Sequence, residues 1–185
     1  MAIYQPIILT GDYVGVHDRQ QNAANAGCIC VVEFHFNSAG DATASGGEVH
    51  YKQNDIISPS SKEFADSMWA ELVATGLPPH GNQPVKSTAV ATRSGWIDFY
   101  SMFAIVLEPL FISNAGQATW LHANKLSLAD AIAAAIKGTF LNGGAIGLSA
   151  GHAGKSVPDP GAPCVLGDTE ADHTVEIRDL VAARM

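Results

Sequence analysis

Four polar side chains of this sequence have the types and positions expected of a metal site. His35, Glu108 and His152 each lie at or just after a short apolar run that is typical of a buried strand. Glu170 follows a Gly-Asp-Thr sequence suited to a helix N-cap, so its carboxylate would lie in the first turn, where the helix dipole favours the charged form. Two imidazoles and a carboxylate are a common catalytic zinc set, because they leave a fourth coordination position for water. The residues therefore predict metal-dependent hydrolysis.

Short apolar strands would have to position these side chains. The runs preceding the first three residues span 28–32, 104–107 and 145–148, and further strands are predicted at 6–10 and 47–51. In open α/β sheets, ligands bind beyond the carboxyl ends of parallel strands, so residues distant in sequence converge there. Strands that are apolar throughout and alternate with helices indicate a sheet covered on both faces. The predicted fold class is α/β, with a single largely parallel twisted sheet and helices on both faces.

The first two helices are predicted from their caps and spacing. One covers residues 18–26, and Ser60 and Glu63 have capping-box spacing at the start of the next. Gly76 ends this second helix. The pattern over residues 77–101 is irregular, which predicts a surface loop region that borders a cleft.

The later helices are also predicted from caps and apolar spacing. Asn114 opens a short helix that runs through Trp120, and the last helix begins near Thr169 and continues to residue 185. Between them, a separate helix is predicted from apolar residues at intervals of four: Leu128, Ile132 and Ile136.

Length and composition indicate one domain, residues 1–185, because 185 residues with 47% hydrophobic content can bury a sizeable core. The formal charge of −8 argues against a nucleic-acid partner, since phosphate contacts need a positive face. The sequence has no apolar run long enough for membrane insertion, and its start lacks the features of a secretory signal. We therefore expect synthesis in the cytoplasm without a signal peptide. Nothing in the sequence indicates a particular oligomeric state.

The three cysteines are predicted to be buried free thiols. Their odd number and spacing do not form a disulfide framework, and Cys28 and Cys30 lie two apart in a strand. The rival hypothesis is a Cys-His zinc site that includes Cys164. A C-x-C sequence without a second close pair is a weak signal for such a site.

The segments around the four polar residues resemble those of a known family. They are similar to segments of the zinc-dependent N-acetylmuramoyl-L-alanine amidases of the type 3 family, which occur among bacterial autolysins and phage endolysins. Four segments in compatible positions carry the resemblance: residues 18–25, 32–38, 106–114, and 149–154 with Gly161, Ala162 and Glu170 downstream.

The resemblance implies a role for each of the four polar residues. His35, His152 and Glu170 would bind Zn²⁺, and Glu108 would be the catalytic carboxylate beside the metal. The implied substrate is peptidoglycan, at the amide between the lactyl group of N-acetylmuramic acid and L-alanine. Glu170 lies 18 residues after His152, a long interval, so Glu176 is an alternative ligand, although it lacks the cap position.

The order of the segments departs from that of the family. In the family the Gly-His segment and its glutamate helix come first, whereas here they occupy residues 146–185. The chain is therefore predicted to be circularly permuted, with the Asn142-Gly-Gly turn joining what would be the two ends of the family's chain. Cuts in exposed connections leave packed contacts intact, so such a rearrangement is physically reasonable.

The leading functional hypothesis is a peptidoglycan amidase, most simply a phage or prophage lysis enzyme. It would act on the cell wall after release by another protein, such as a holin. One alternative is a zinc peptidase that cleaves the peptide stem, and another is a non-catalytic wall-binding or virion structural protein. The remaining histidines are assigned to surface or packing roles: His17, His50, His80, His122 and His173.

Overall fold

Six strands and four helices make up the described part of the chain. The computed structural model describes residues 2–9, 16–53, 60–91, 97–98, 100–153 and 159–185, with the backbone alone for 16 and 17. The strands are β1 (Ile3–Leu9), β2 (Cys28–Phe34), β3 (Glu48–Tyr51), β4 (Val85–Ser87), β5 (Phe103–Glu108) and β6 (Gly143–Ala150). The helices are α1 (Val16–Asn25), α2 (Ser61–Ala74), α3 (Ala115–Thr139) and α4 (Glu170–Ala182).

The strands form one largely parallel sheet in the order β1-β6-β2-β5-β3-β4. Neighbours among β1, β6, β2 and β5 are parallel, whereas β3 is antiparallel to β5 and parallel to β4. The carboxyl ends of β2, β5 and β6 therefore meet at one edge of the sheet, where His35, Glu108 and His152 follow or end these strands. The predicted α/β class and largely parallel sheet are confirmed.

Helices cover both faces of the sheet, as predicted. Successive residues of a strand point to opposite faces, and they belong to two different cores here. Val32 packs in the larger core, with buried residues of α2, α3 and α4, whereas Val31 packs in a smaller core with Ala23 of α1. Because β2 is buried on both sides, its sequence is apolar except for Glu33 rather than alternating.

The starts of α2 and α4 follow the predicted capping chemistry. The Ser60 hydroxyl accepts a hydrogen bond from the Glu63 N–H, and the Glu63 carboxylate accepts one from the Ser60 N–H. Thr169 and Asp172 form the same reciprocal box at the start of α4. This box makes Glu170 the first residue of α4 and fixes its direction relative to the sheet.

The structure corrects two predictions. The short helix through Trp120 and the separate helix after it are one continuous α3 of 25 residues. Leu121 and Leu128 are both buried and lie seven residues apart, so two full turns separate them on one face. The polar residues between them cover the exposed side and do not break the helix. The second correction concerns residues 77–101, where the region predicted as irregular contains the short strand β4.

Thr10 and Gly154, which belong to a predicted strand and to a family-like segment, lie outside the described residues. None of the helices in the described ranges combines the length and apolar character that crossing a bilayer requires.

The continuity of α3 is testable by proline substitution at Ala123, an exposed residue within the predicted break. Ala123→Pro should lower the free energy of unfolding by about 3 kcal/mol or more, because proline removes a helix hydrogen bond and clashes with the preceding turn. Ala123→Gly, the control, should cost only about 1 kcal/mol. Urea denaturation measures both, and equal small losses would indicate a break near residue 123.

Candidate active site

A buried carboxylate, Glu170, holds the site together. The residue is only 5% exposed. Its Oε1 atom accepts a hydrogen bond from the Phe36 N–H at 3.1 Å and lies 3.0 Å from His35 Nδ1. Its Oε2 atom accepts one from the Ala162 N–H at 3.0 Å and lies 3.3 Å from His152 Nε2. One side chain thus joins the ends of β2 and β6 to the start of α4.

The contacts of Glu170 explain why it is ionised although it is buried. Burial by itself opposes ionisation, but the hydrogen bonds from His152, His35 and the Ala162 N–H outweigh it and hold the pKa of Glu170 well below its ordinary value. The hydrogen bond to Glu170 in turn raises the pKa of His152, against the effect of burial. The negative charge of Glu170 and the positive charge of His152 therefore stabilise each other.

The geometry of His35, His152 and Glu170 fits a divalent metal ion. One ligand atom from each lies within 4.8 Å of the others, and the two imidazole rings stand edge to face with centroids 5.1 Å apart. Gly161 leaves room for this arrangement, since a Cβ atom there would lie 2.8 Å from Glu170 Oε2. Two nitrogens and one carboxylate are the donor set of many three-ligand zinc sites.

Asp159 orients His152 from behind. The His152 Nδ1 atom lies 3.0 Å from Asp159 Oδ2, which leaves Nε2 directed at Glu170. The other oxygen of Asp159 accepts the Gly161 N–H at 3.0 Å. His152 itself has a φ of 64°, an uncommon backbone conformation for a residue with a side chain. Carboxylates in this position fix the tautomer and direction of ligating histidines. Asp159 could not be singled out from the sequence, because no recognisable pattern surrounds it.

Glu108 lies at the end of β5. It lines the same open cleft of about 620 Å³ as His35, His152 and Glu170. Its side chain is 17% exposed, and His50 Nδ1 lies 3.9 Å from its Oε1 atom. Burial raises the pKa of the Glu108 carboxyl. A carboxyl group with a raised pKa is suited to proton transfer near neutral pH.

A second polar cluster lines the cleft where β3, β4 and β5 pair. Glu48 lies directly opposite Glu108 in the antiparallel register. This pairing of like charges would be destabilising, but Glu48 accepts a hydrogen bond from Lys86 at 2.6 Å and lies 2.8 Å from His50 Nε2. Burial is again outweighed by these hydrogen bonds, so the pKa of Glu48 is lowered.

His50 corrects the sequence-based assignment to a surface or packing role, because it is buried and lines the cleft between Glu48 and Glu108. Glu48 and His50 lie two apart in the strand predicted at 47–51, so their common face was readable from the sequence. The strand with which they pair, β5, could not be read from the sequence. The alternative ligand Glu176 is exposed and pairs with Lys125, away from the cleft.

Comparison with known proteins identifies the family. The sequence pattern of the family described as N-acetylmuramoyl-L-alanine amidase, Amidase_3, matches residues 7–138. The chain belongs to this family. No curated protein sequence gives a significant match.

Solved amidase structures share the fold. The catalytic domain of CwlV, an N-acetylmuramoyl-L-alanine amidase from Bacillus (Paenibacillus) polymyxa, is 27% identical with a TM-score of 0.55, over 66% of this chain and 64% of that domain. An N-acetylmuramyl-L-alanine amidase from Mycobacterium smegmatis is 22% identical with a TM-score of 0.58, over 68% of this chain and 60% of that one. The chain thus covers less than two thirds of the length of both relatives.

Only part of the candidate site lies within the residues that match the family. His35 and Glu108 lie within the matched residues 7–138, whereas His152 and Glu170 lie beyond them. The structure nevertheless brings His152 and Glu170 next to His35, because β6 lies between β1 and β2 in the sheet. The segment outside the match therefore supplies half of the four predicted site residues of this amidase-family chain.

The close fit around His35 is testable at Gly151. A Cβ atom at this position would lie 2.3 Å from the His35 ring, so Gly151→Ala should displace the imidazole. We expect zinc binding to weaken at least about tenfold, the scale of other changes that misorient a ligand. Isothermal titration calorimetry with Zn²⁺ measures the change. Gly40→Ala is the control, since nothing lies within 4 Å of a Cβ atom there; equal affinities for the two variants would contradict the ligand role of His35.

Proposed function

We propose that this chain is a zinc-dependent hydrolase of peptidoglycan that cleaves the amide between N-acetylmuramic acid and L-alanine. The observation that carries the proposal is the convergence of His35, His152 and Glu170 in one cleft with Glu108. Membership of the amidase family supports the reaction type, and the 27% identical relative is itself described as the catalytic domain of such an amidase.

His35, His152 and Glu170 would hold the zinc ion, and Asp159 would keep His152 in the ligating tautomer. When bound, zinc would supply a Lewis acid for the scissile carbonyl and lower the pKa of a coordinated water to about 7. The present contacts of Glu170 with the two imidazoles support this assignment, because they already bring one nitrogen of each ring and the carboxylate oxygens to a common region.

Glu108 would transfer the proton. As the attacking water adds to the amide carbon, the Glu108 carboxylate would accept its proton and then deliver it to the departing amine nitrogen. Its raised pKa favours both halves of this exchange near neutral pH. His50 would position Glu108, since its ring lies between Glu108 and Glu48.

A permuted segment order also forms part of the proposal. The match to the family pattern ends at residue 138, yet the two remaining ligand residues occur just after β6 and in α4, as expected if the segment that comes first in the family comes last here. The parallel pairing of β6 with both β1 and β2 supports this interpretation. Action in phage lysis and release through a holin stay predictions that follow from the sequence.

Product analysis tests the proposed reaction. Purified peptidoglycan is incubated with the zinc-loaded protein, with a chelated sample as the control, and the products are identified by mass spectrometry. Intact stem peptides with free L-alanine amino termini, formed only with zinc, are the expected result. Cleavage within the stem would instead indicate a peptidase, and no cleavage despite bound zinc would indicate a binding or structural role.

The role of Glu108 is tested by Glu108→Gln. This variant should lose about 10²–10⁴-fold in kcat, because the amide cannot accept the proton, while zinc content stays at the wild-type level. Glu176→Gln is the matched control, since this exposed carboxylate lies outside the cleft and its loss should leave kcat unchanged. Loss of zinc from Glu108→Gln would identify Glu108 as a ligand, and unchanged kcat would remove it from the mechanism.

A further inference from the structure

A second cluster of metal-ligating side chains lies outside the cleft, beside the start of α4. It contains His122 of α3, Cys164 and Asp168 of the loop before α4, and His173 of α4. One ligand atom from each of the four lies within 4.8 Å of the others. Asp168 is central: its two oxygens lie 3.1 Å from His122 Nε2 and 3.2 Å from His173 Nε2.

Two buried polar atoms at the centre of this cluster form no hydrogen bond among the described residues. His173 is only 4% exposed, and its Nε2 atom has no hydrogen-bond partner among the described residues. The same holds for Asp168 Oδ1, the oxygen that faces it. Leaving a buried polar atom without a partner costs roughly 1–3 kcal/mol. Two such atoms 3.2 Å apart, in a cluster with two further donors, are expected where an ion belongs.

The geometry of the cluster repeats that of the cleft. The rings of His122 and His173 stand edge to face at 83° with centroids 5.3 Å apart, compared with 81° and 5.1 Å for His35 and His152. A carboxylate lies between the two rings in both places. The cluster differs by its fourth donor, the Cys164 sulfur, which makes its ligand set complete.

We propose that His122, Cys164, Asp168 and His173 form a second, structural metal site that binds Zn²⁺. Four protein donors of nitrogen, sulfur and oxygen type suit tetrahedral zinc and leave no position for substrate, unlike the three-donor site of the cleft. The site is independent of the proposed enzymatic function, since none of its residues lines the cleft.

The loop before α4 is built to present two of these ligands. The Cys164 N–H donates to the Asp168 carbonyl at 2.9 Å, and the Gly167 N–H donates to the Cys164 carbonyl at 3.1 Å. This turn keeps the sulfur and the carboxylate on the same side. Burial raises the pKa of the Cys164 thiol, which shares a hydrogen bond with the Asp168 side chain. Metal binding would therefore release the thiol proton to solvent, as expected for a cysteine ligand.

A metal ion here would stabilise the position of Glu170. Asp168 and His173 flank Glu170 in the sequence, on either side of the first turn of α4. The His173 ring also packs edge to face on Phe36, at 5.7 Å between centroids, and the Phe36 N–H donates to Glu170. Through His122 the ion would tie this turn to α3. The two sites would thus support the same helix start.

Cobalt titration tests the second site separately from the first. The metal-free His152→Ala protein, in which the cleft site is disabled, is titrated with Co²⁺ and followed by absorption spectroscopy. We expect a thiolate-to-cobalt charge-transfer band that saturates at one ion per chain, because the proposed cleft ligands include no cysteine. The absence of this band would overturn the proposal.

Two additional substitutions in the same background identify the ligands. Cys164→Ser should abolish the band. His122→Ala, at a side chain that is 42% exposed, should weaken Co²⁺ binding strongly while circular dichroism stays unchanged. Cys28→Ala is the control and should keep the full band, since Cys28 lies in β2. A band that survives Cys164→Ser, or Co²⁺ affinity that is unchanged in His122→Ala, would contradict the assignment.

Discussion

The organisation of this protein depends on a buried, ionised carboxylate at the start of α4. Glu170 is stable there because two imidazoles and the N–H groups of Phe36 and Ala162 surround it. Removing one partner of a buried charge destabilises a protein by more than the intact pair stabilises it. The segments that surround Glu170 must therefore keep their relative positions. The ends of β2 and β6 and the loop before α4 are thereby held at one point.

This constraint explains how distant parts of the sequence form one cleft. On one side lie His35, His152 and Glu170, which the parallel strands and the α4 cap bring together. On the other side, the antiparallel pairing of β3 with β5 places Glu48 opposite Glu108, with His50 between them. The first side is suited to holding a metal ion and the second to moving a proton. The residues for both functions are brought together at one edge of the sheet, and no single loop contains them all.

The sequence predicted the parts that depend on local physics. Apolar runs predicted the central strands, and the cap at Thr169 placed Glu170 in the first turn of α4. Strand pairing is not local, so the contact of His50 with Glu108 could not be read from the sequence. Asp159 was missed because no local sequence pattern places it next to His152. The continuity of α3 was missed because polar residues on its exposed side resemble a break.

A crystal structure of the zinc-loaded protein, with anomalous scattering measured at the zinc absorption edge, tests the central claim most directly. The account predicts an anomalous peak bonded to His35, His152 and Glu170, at about 2.0–2.2 Å from each ligand atom. The direct contacts of Glu170 with the two imidazoles would then be replaced by bonds to the ion. A structure in which those contacts persist, with no anomalous peak in the cleft at saturating zinc, would contradict the account.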